Sequence, residues 1–143
     1  MFSFPIDYEQ GWTLRNEIKK DGIGLHTGLN SKVIVKPTEL PGFHISFSKE
    51  SNKLFSIDIS QVRNTPLCTT LELNGKTIST VEHLLASLIG SGLTHAHIEI
   101  TGNEIPLLDG SAMGWIKEIE KVGMINSATS PKPRPELSSP IFI

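Results

Sequence analysis

The 143-residue chain has one cysteine, Cys68. A lone cysteine excludes an intramolecular disulfide and any Cys-x-x-Cys zinc site, and it fits a reducing compartment. The charge is near neutral: 13 basic residues face 15 acidic ones. That balance gives no electrostatic footprint for nucleic acid. No apolar run is long enough to span a bilayer, and Met1 to Glu9 lack the basic flank and long apolar centre of a signal peptide. No repeat of solenoid period is present. The length suits one domain with a real core and is short for two. These absences describe a cytoplasmic protein without a transmembrane segment.

What is present centres on residues 79–90, Ser-Thr-Val-Glu-His-Leu-Leu-Ala-Ser-Leu-Ile-Gly. Apolar residues at 81, 84, 85, 88 and 89 predict a helix with one buried stripe. Ser79 with Glu82 three residues on fits a capping box, and Gly90 supplies a stop. At about 100° per residue, His83 falls on the side away from Val81, beside the small residues Ala86 and Ser87. Two readings stand for Glu82-His83. One is a capping acid beside an exposed histidine. The other is a metal ligand at His83 with Glu82 as general base. One imidazole cannot hold a catalytic zinc, which usually takes three protein ligands.

Trp12 to Lys19 alternates like a strand. Residues 22–28, Gly-Ile-Gly-Leu-His-Thr-Gly, predict a glycine turn that carries His26. Their Gly-x-Gly-x-x-x-Gly spacing and the charged strand before them exclude a dinucleotide loop. Strands are expected at Ser31–Lys36, Phe43–Ser48 and Leu54–Ile59. In the second of these, Phe43, Ile45 and Phe47 share one face and His44 lies on the opposite, wet face. After a turn at Asn64-Thr65-Pro66, a strand over Leu67–Leu73 meets Asn74-Gly75, the strongest hairpin signal in the chain. Cys68 reads by default as a small buried hydrophobe.

Leu93 to Thr101 predicts another strand, with His95, His97 and Glu99 on one face. That face fits a metal site or an outward polar surface equally well. Asp109 or Ser111 then caps a second helix, Ala112–Val122, closed by Gly123. About six strands and two helices, joined mostly by direct hairpins, give an α+β fold. The expected form is a two-layer domain of a mostly antiparallel sheet with two helices on one face. Residues 1–11 read as a lead-in and 12–125 as the domain. Residues 126–139 read as a Pro-rich linker, and 140–143 as the start of a second domain that the sequence does not contain.

Four segments together carry a resemblance: residues 22–28, Leu67-Cys68-Thr69-Thr70, Ser79-Thr80-Val81-Glu82-His83-Leu84, and residues 105–112. In this order they resemble UDP-3-O-acyl-N-acetylglucosamine deacetylase, the zinc amidase that commits a cell to lipid A synthesis. The resemblance implies that His83 is a zinc ligand and that Glu82 is the general base activating the zinc-bound water. Leu67 and Cys68 correspond to a segment lining the substrate site, and His26 to a histidine near its mouth. The metal implied is Zn2+, with Fe2+ as the alternative, and the substrate is UDP-3-O-acyl-N-acetylglucosamine. The family's other zinc ligands lie on a second domain, so this chain alone is expected to be inactive. The competing hypothesis is a non-catalytic remnant that binds a partner or nucleotide. A third is a different metal hydrolase using His83 with His95 and His97.

Overall fold

The computed structural model describes residues 9–50, 52–63, 66–133 and 138–139. The elements run β1 (Trp12–Leu14), β2 (Ile18–Ile23), β3 (Asn30–Lys36), β4 (Gly42–Phe47), β5 (Phe55–Ser56), β6 (Val62–Arg63), β7 (Thr70–Leu73), β8 (Lys76–Ile78), α1 (Glu82–Gly90), β9 (His95–Thr101), α2 (Met113–Val122) and β10 (Met124–Asn126). The main sheet has the order β2-β3-β9-β4-β5. Its pairs are antiparallel except β4 with β9, which are parallel. A three-stranded sheet, β6-β7-β8, and the two-stranded pair β1-β10 flank it.

One face of the main sheet is aliphatic across strands. Val35 and Ile45 both register with Ile98, and Val33 and Phe47 both register with Ile100. Leu84 and Leu88 of α1 and Trp115 and Ile119 of α2 bury themselves in the same cluster. Each such side chain contributes on the order of 1.5–3 kcal/mol when removed from water. An ion pair from Lys20 on β2 to Glu118 on α2, 2.7 Å long, holds the second helix to the sheet edge. The expected α+β architecture, a mostly antiparallel sheet with two helices on one face, is the one observed.

Several local expectations are corrected. Trp12–Lys19 is two strands, because β1 pairs with β10 while β2 pairs with β3. Side-chain alternation runs straight through the break and carries no record of the change of partner. The strand expected over Leu54–Ile59 is confined to β5, since Asp58 caps a 3-10 turn at Ile59–Gln61. The strand expected from Leu67 begins only at Thr70. Leu67 is 92% exposed, with φ at +65°. The turn residues Asn64 and Thr65 lie outside the described residues, as do residues 1–8 of the lead-in and the strand start at 140–143.

Helix α1 also differs at both ends. Its N-cap is Val81, without a side-chain cap, so the Ser79–Glu82 capping box does not form. Its stop is Gly92, at φ +86°, rather than Gly90. The N–H of Gly92 reaches the Ile89 carbonyl and that of Leu93 reaches the Leu88 carbonyl, the paired bonds of a Schellman motif. The buried side of α1 runs through Val81, Leu84, Ser87 and Leu88, and Ile89 is exposed.

His44 does not face water. It is buried, and so is His95. Residues 127–132 cross that side of the molecule. Ser127 N–H donates to the Gly11 carbonyl, and Ser127 Oγ and Ala128 N–H both donate to Glu39. Thr129 Oγ1 stands 2.9 Å from His95 Nε2, and Lys132 Nζ donates to Ser56 Oγ. Burial pushes the imidazole pKa values of His44, His95 and His97 down, Lys132 adding to the effect at His44 and Lys36 at His97.

Candidate active site

The hairpin β7–β8 sets the geometry. Asn74 and Gly75 both take positive φ, as a two-residue type I′ turn requires. The returning strand delivers Ser79, whose N–H donates to the Asn103 carbonyl and whose own carbonyl accepts from Ile105 N–H. Ser79 Oγ also lies 2.9 Å from Thr70 Oγ1. The chain then turns sharply at Thr80, where φ is +59°. Positive φ at a β-branched residue is an outlier that costs on the order of 1–3 kcal/mol and persists only where neighbours enforce it. The turn starts α1, with Glu82 and His83 in its first turn.

Glu82 anchors one carboxylate oxygen. Its Oε2 accepts the Thr69 backbone N–H over 3.1 Å. Its Oε1 makes no hydrogen bond among the described residues. The half-buried imidazole of His83 has no hydrogen-bond partner among them either. Thr69 follows Leu67 and Cys68 directly, so this bond brings the 67–69 segment against the start of α1. Cys68 is half-buried, with Sγ 3.7 Å from Thr70 Oγ1.

His26 is joined to the same place through Glu104, which sequence reasoning missed. Glu104 is 1% exposed. Its Oε1 accepts from His26 N–H at 3.0 Å and from Thr80 Oγ1 at 2.8 Å, and its Oε2 accepts from Thr27 N–H at 2.8 Å. Burial raises its pKa, but these donors together outweigh burial and hold it at about 2. A buried carboxylate with donors on both oxygens therefore links the glycine loop to the turn ahead of Glu82. No sequence signal marked it: an acid between Asn103 and Ile105 fits no periodic or capping pattern.

Among the described residues, no group of three or more His, Cys, Asp or Glu side chains is placed to hold an ion. His95 and His97 sit on the sheet face opposite the helices, where Thr129 and Ser46 occupy their ring nitrogens. They do not join His83, and the hydrolase built on those three histidines is overturned.

A family model described as UDP-3-O-acyl N-acetylglycosamine deacetylase matches residues 11–142. The chain belongs to that family. Among relatives named UDP-3-O-acyl-N-acetylglucosamine deacetylase, the protein of Trichormus variabilis is 37% identical over 120 residues, 82% of this chain and 43% of its own length. That of Geobacter sp. strain M21 is 39% identical over 123 residues, 84% of this chain and 40% of the relative. That of Synechocystis sp. is 36% identical over 136 residues, 93% of this chain and 47% of the relative. The chain thus spans less than half the length of these deacetylases. As a family member it presents Glu82, His83 and the 67–69 segment together at one helix start. No helix among the described residues is long and apolar enough to cross a membrane.

Proposed function

We propose that this chain is the first half of a metal-dependent deacetylase acting in the cytoplasm on UDP-3-O-acyl-N-acetylglucosamine, the committed step of lipid A synthesis. In this reading residues 12–125 form the first domain, and the rest of the catalytic set comes from a second one. The observation that carries it is the state of Glu82 and His83: a carboxylate pinned by one oxygen, with the other oxygen and the neighbouring imidazole unengaged among the described residues.

The donor set fits one corner of a catalytic zinc site, which needs two further protein ligands. His83 would hold Zn2+, or Fe2+, together with ligands from the second domain. Bound there, the metal would supply Lewis-acid polarisation of the acetamide carbonyl. The chain's own residues do the rest. Glu82 Oε1 accepts a proton from the attacking water and delivers it to the amine nitrogen as the C–N bond breaks, leaving acetate and the free amine. The Thr69 N–H fixes the orientation of that carboxylate. Leu67, Cys68 and His26 line the approach of the substrate.

Glu82→Gln in a full-length form of the protein tests this. A general base predicts a loss of about 10²–10⁴-fold in kcat with the fold intact. A retained rate would instead favour the non-catalytic, partner-binding alternative. The 143-residue chain alone is expected to show little or no turnover, and appreciable activity from it would overturn the need for a second domain.

A further inference from the structure

We infer that Glu104 is a positioning residue for the Glu82–His83 pair, acting through the strained turn at Thr80; the inference rests on the deacetylase reading above. Thr80 is the hinge between β8 and α1, and its φ of +59° decides the direction in which the first turn of the helix leaves the sheet. A threonine does not hold that conformation unaided. Its only side-chain hydrogen bond to a described residue runs from Oγ1 to Glu104 Oε1, at 2.8 Å, with both residues buried. Glu104 cannot drift with it. The N–H groups of His26 and Thr27 hold its two oxygens from the glycine loop, and the Ser79–Glu104 bridge holds its backbone. Gly24 leaves the room this requires, since a Cβ there would overlap Glu104 Oε2.

The carboxylate is the right group for the task. It can accept from three donors at once, and its low pKa keeps both oxygens as acceptors throughout the working pH range. An amide at this position would aim its NH₂ at a backbone N–H. Losing the Glu104 anchor frees Thr80 to relax toward negative φ, which rotates the start of α1. Rotation pulls Glu82 from the Thr69 N–H and turns His83 away from its place. Misplacement of reacting groups by about 1 Å is enough to cost about 100-fold in rate.

The test uses Glu104→Gln, Thr80→Val and Thr80→Ser in a full-length form, with Glu82→Gln as control. Thr80→Val removes the hydroxyl at nearly constant volume and is the milder variant should Glu104→Gln not fold. Expected are drops in kcat of about 100-fold for Glu104→Gln and Thr80→Val with KM little changed, and near-normal rates for Thr80→Ser. The double variant should lose no more than either single change, because both break one link. Independently of turnover, the amide NMR resonance of Thr69 should move in Glu104→Gln and in Thr80→Val. A kcat kept within about threefold while Tm falls would reduce Glu104 to a structural part and overturn the inference. If Glu82→Gln leaves the rate unchanged, it is the deacetylase reading that fails. The Thr69 resonance then decides the present inference: a shift upholds the coupling and an unmoved signal overturns it.

Discussion

Gly24 and Glu104 pack so closely that no side chain fits between them. A Cβ on Gly24 would overlap the Glu104 carboxylate and press on Thr27 Oγ1. Gly24 does not need positive φ; it is needed for space. This distinguishes it from Gly28, which has φ at +64° and open surroundings.

Gly24→Ala should therefore be the more damaging of the two. It displaces a buried, ionised group from its donors, which costs on the order of 2–4 kcal/mol. Gly28→Ala carries only backbone strain, roughly 1–2 kcal/mol. Urea unfolding midpoints of the two variants check the ranking, and equal losses would contradict the packing described here.

Acid should weaken the fold in two windows. His44, His95 and His97 have pKa values lowered by burial, so the folded state favours their neutral forms. Their contribution is complete above the ordinary value of 6.5 and declines as pH falls below it. Glu104 falls from 4.5 to about 2, so its contribution is complete above about 4.5 and is lost as pH drops toward 2. That second window is on the order of 3 kcal/mol. Unfolding free energy followed from pH 8 to pH 2 should show both declines. In Glu104→Gln the curve should start lower and show a shallower second decline, since other carboxylates with lowered pKa values, Glu118 and Glu39 among them, still titrate there.

Thr129→Val should destabilise the domain although it lies in a segment of linker composition. The change removes the partner of a fully buried histidine nitrogen and a bond to the Glu39 carbonyl. An unsatisfied buried polar group costs about 1–3 kcal/mol. Thermal unfolding of the variant against the parent measures it. An unchanged Tm would mean that residues 127–132 do not hold to the sheet.

The features legible in the sequence are those whose cause is local. Asn74-Gly75 makes the hairpin because its two residues tolerate positive φ. Gly123 ends α2 for the same reason, and the spacing of Trp115 and Ile119 gives that helix its buried face. Features set by partners distant in the chain were not legible. The break between β1 and β2 depends on Met124–Asn126, and the burial of His44 depends on residues 127–132. At the site, local pattern misassigned Glu82. The box Ser79–Glu82 has the right spacing, yet strain at Thr80 takes Ser79 out of position, and the carboxylate finds Thr69 instead. The expectation for Leu67 and Cys68, and the preference for a base and a ligand at Glu82 and His83, rest on resemblance to known motifs. Glu104, which ties that turn to the His26 loop, was invisible because a buried acid leaves no periodic trace.

The pairing of β1 with β10 has a bearing on how the protein is made. Residues 11–14 meet residues 124–127, which emerge from the ribosome more than a hundred residues later. Until then Leu14 has no backbone partner, and the early strands wait with one flank of their apolar face uncovered. Contacts of such long sequence separation form slowly and leave the nascent chain open to wrong pairings. The β1–β10 pair thus closes only once residues 124–127 are made, and before that β1 is held through the hydrogen bonds between Trp12 and Thr94.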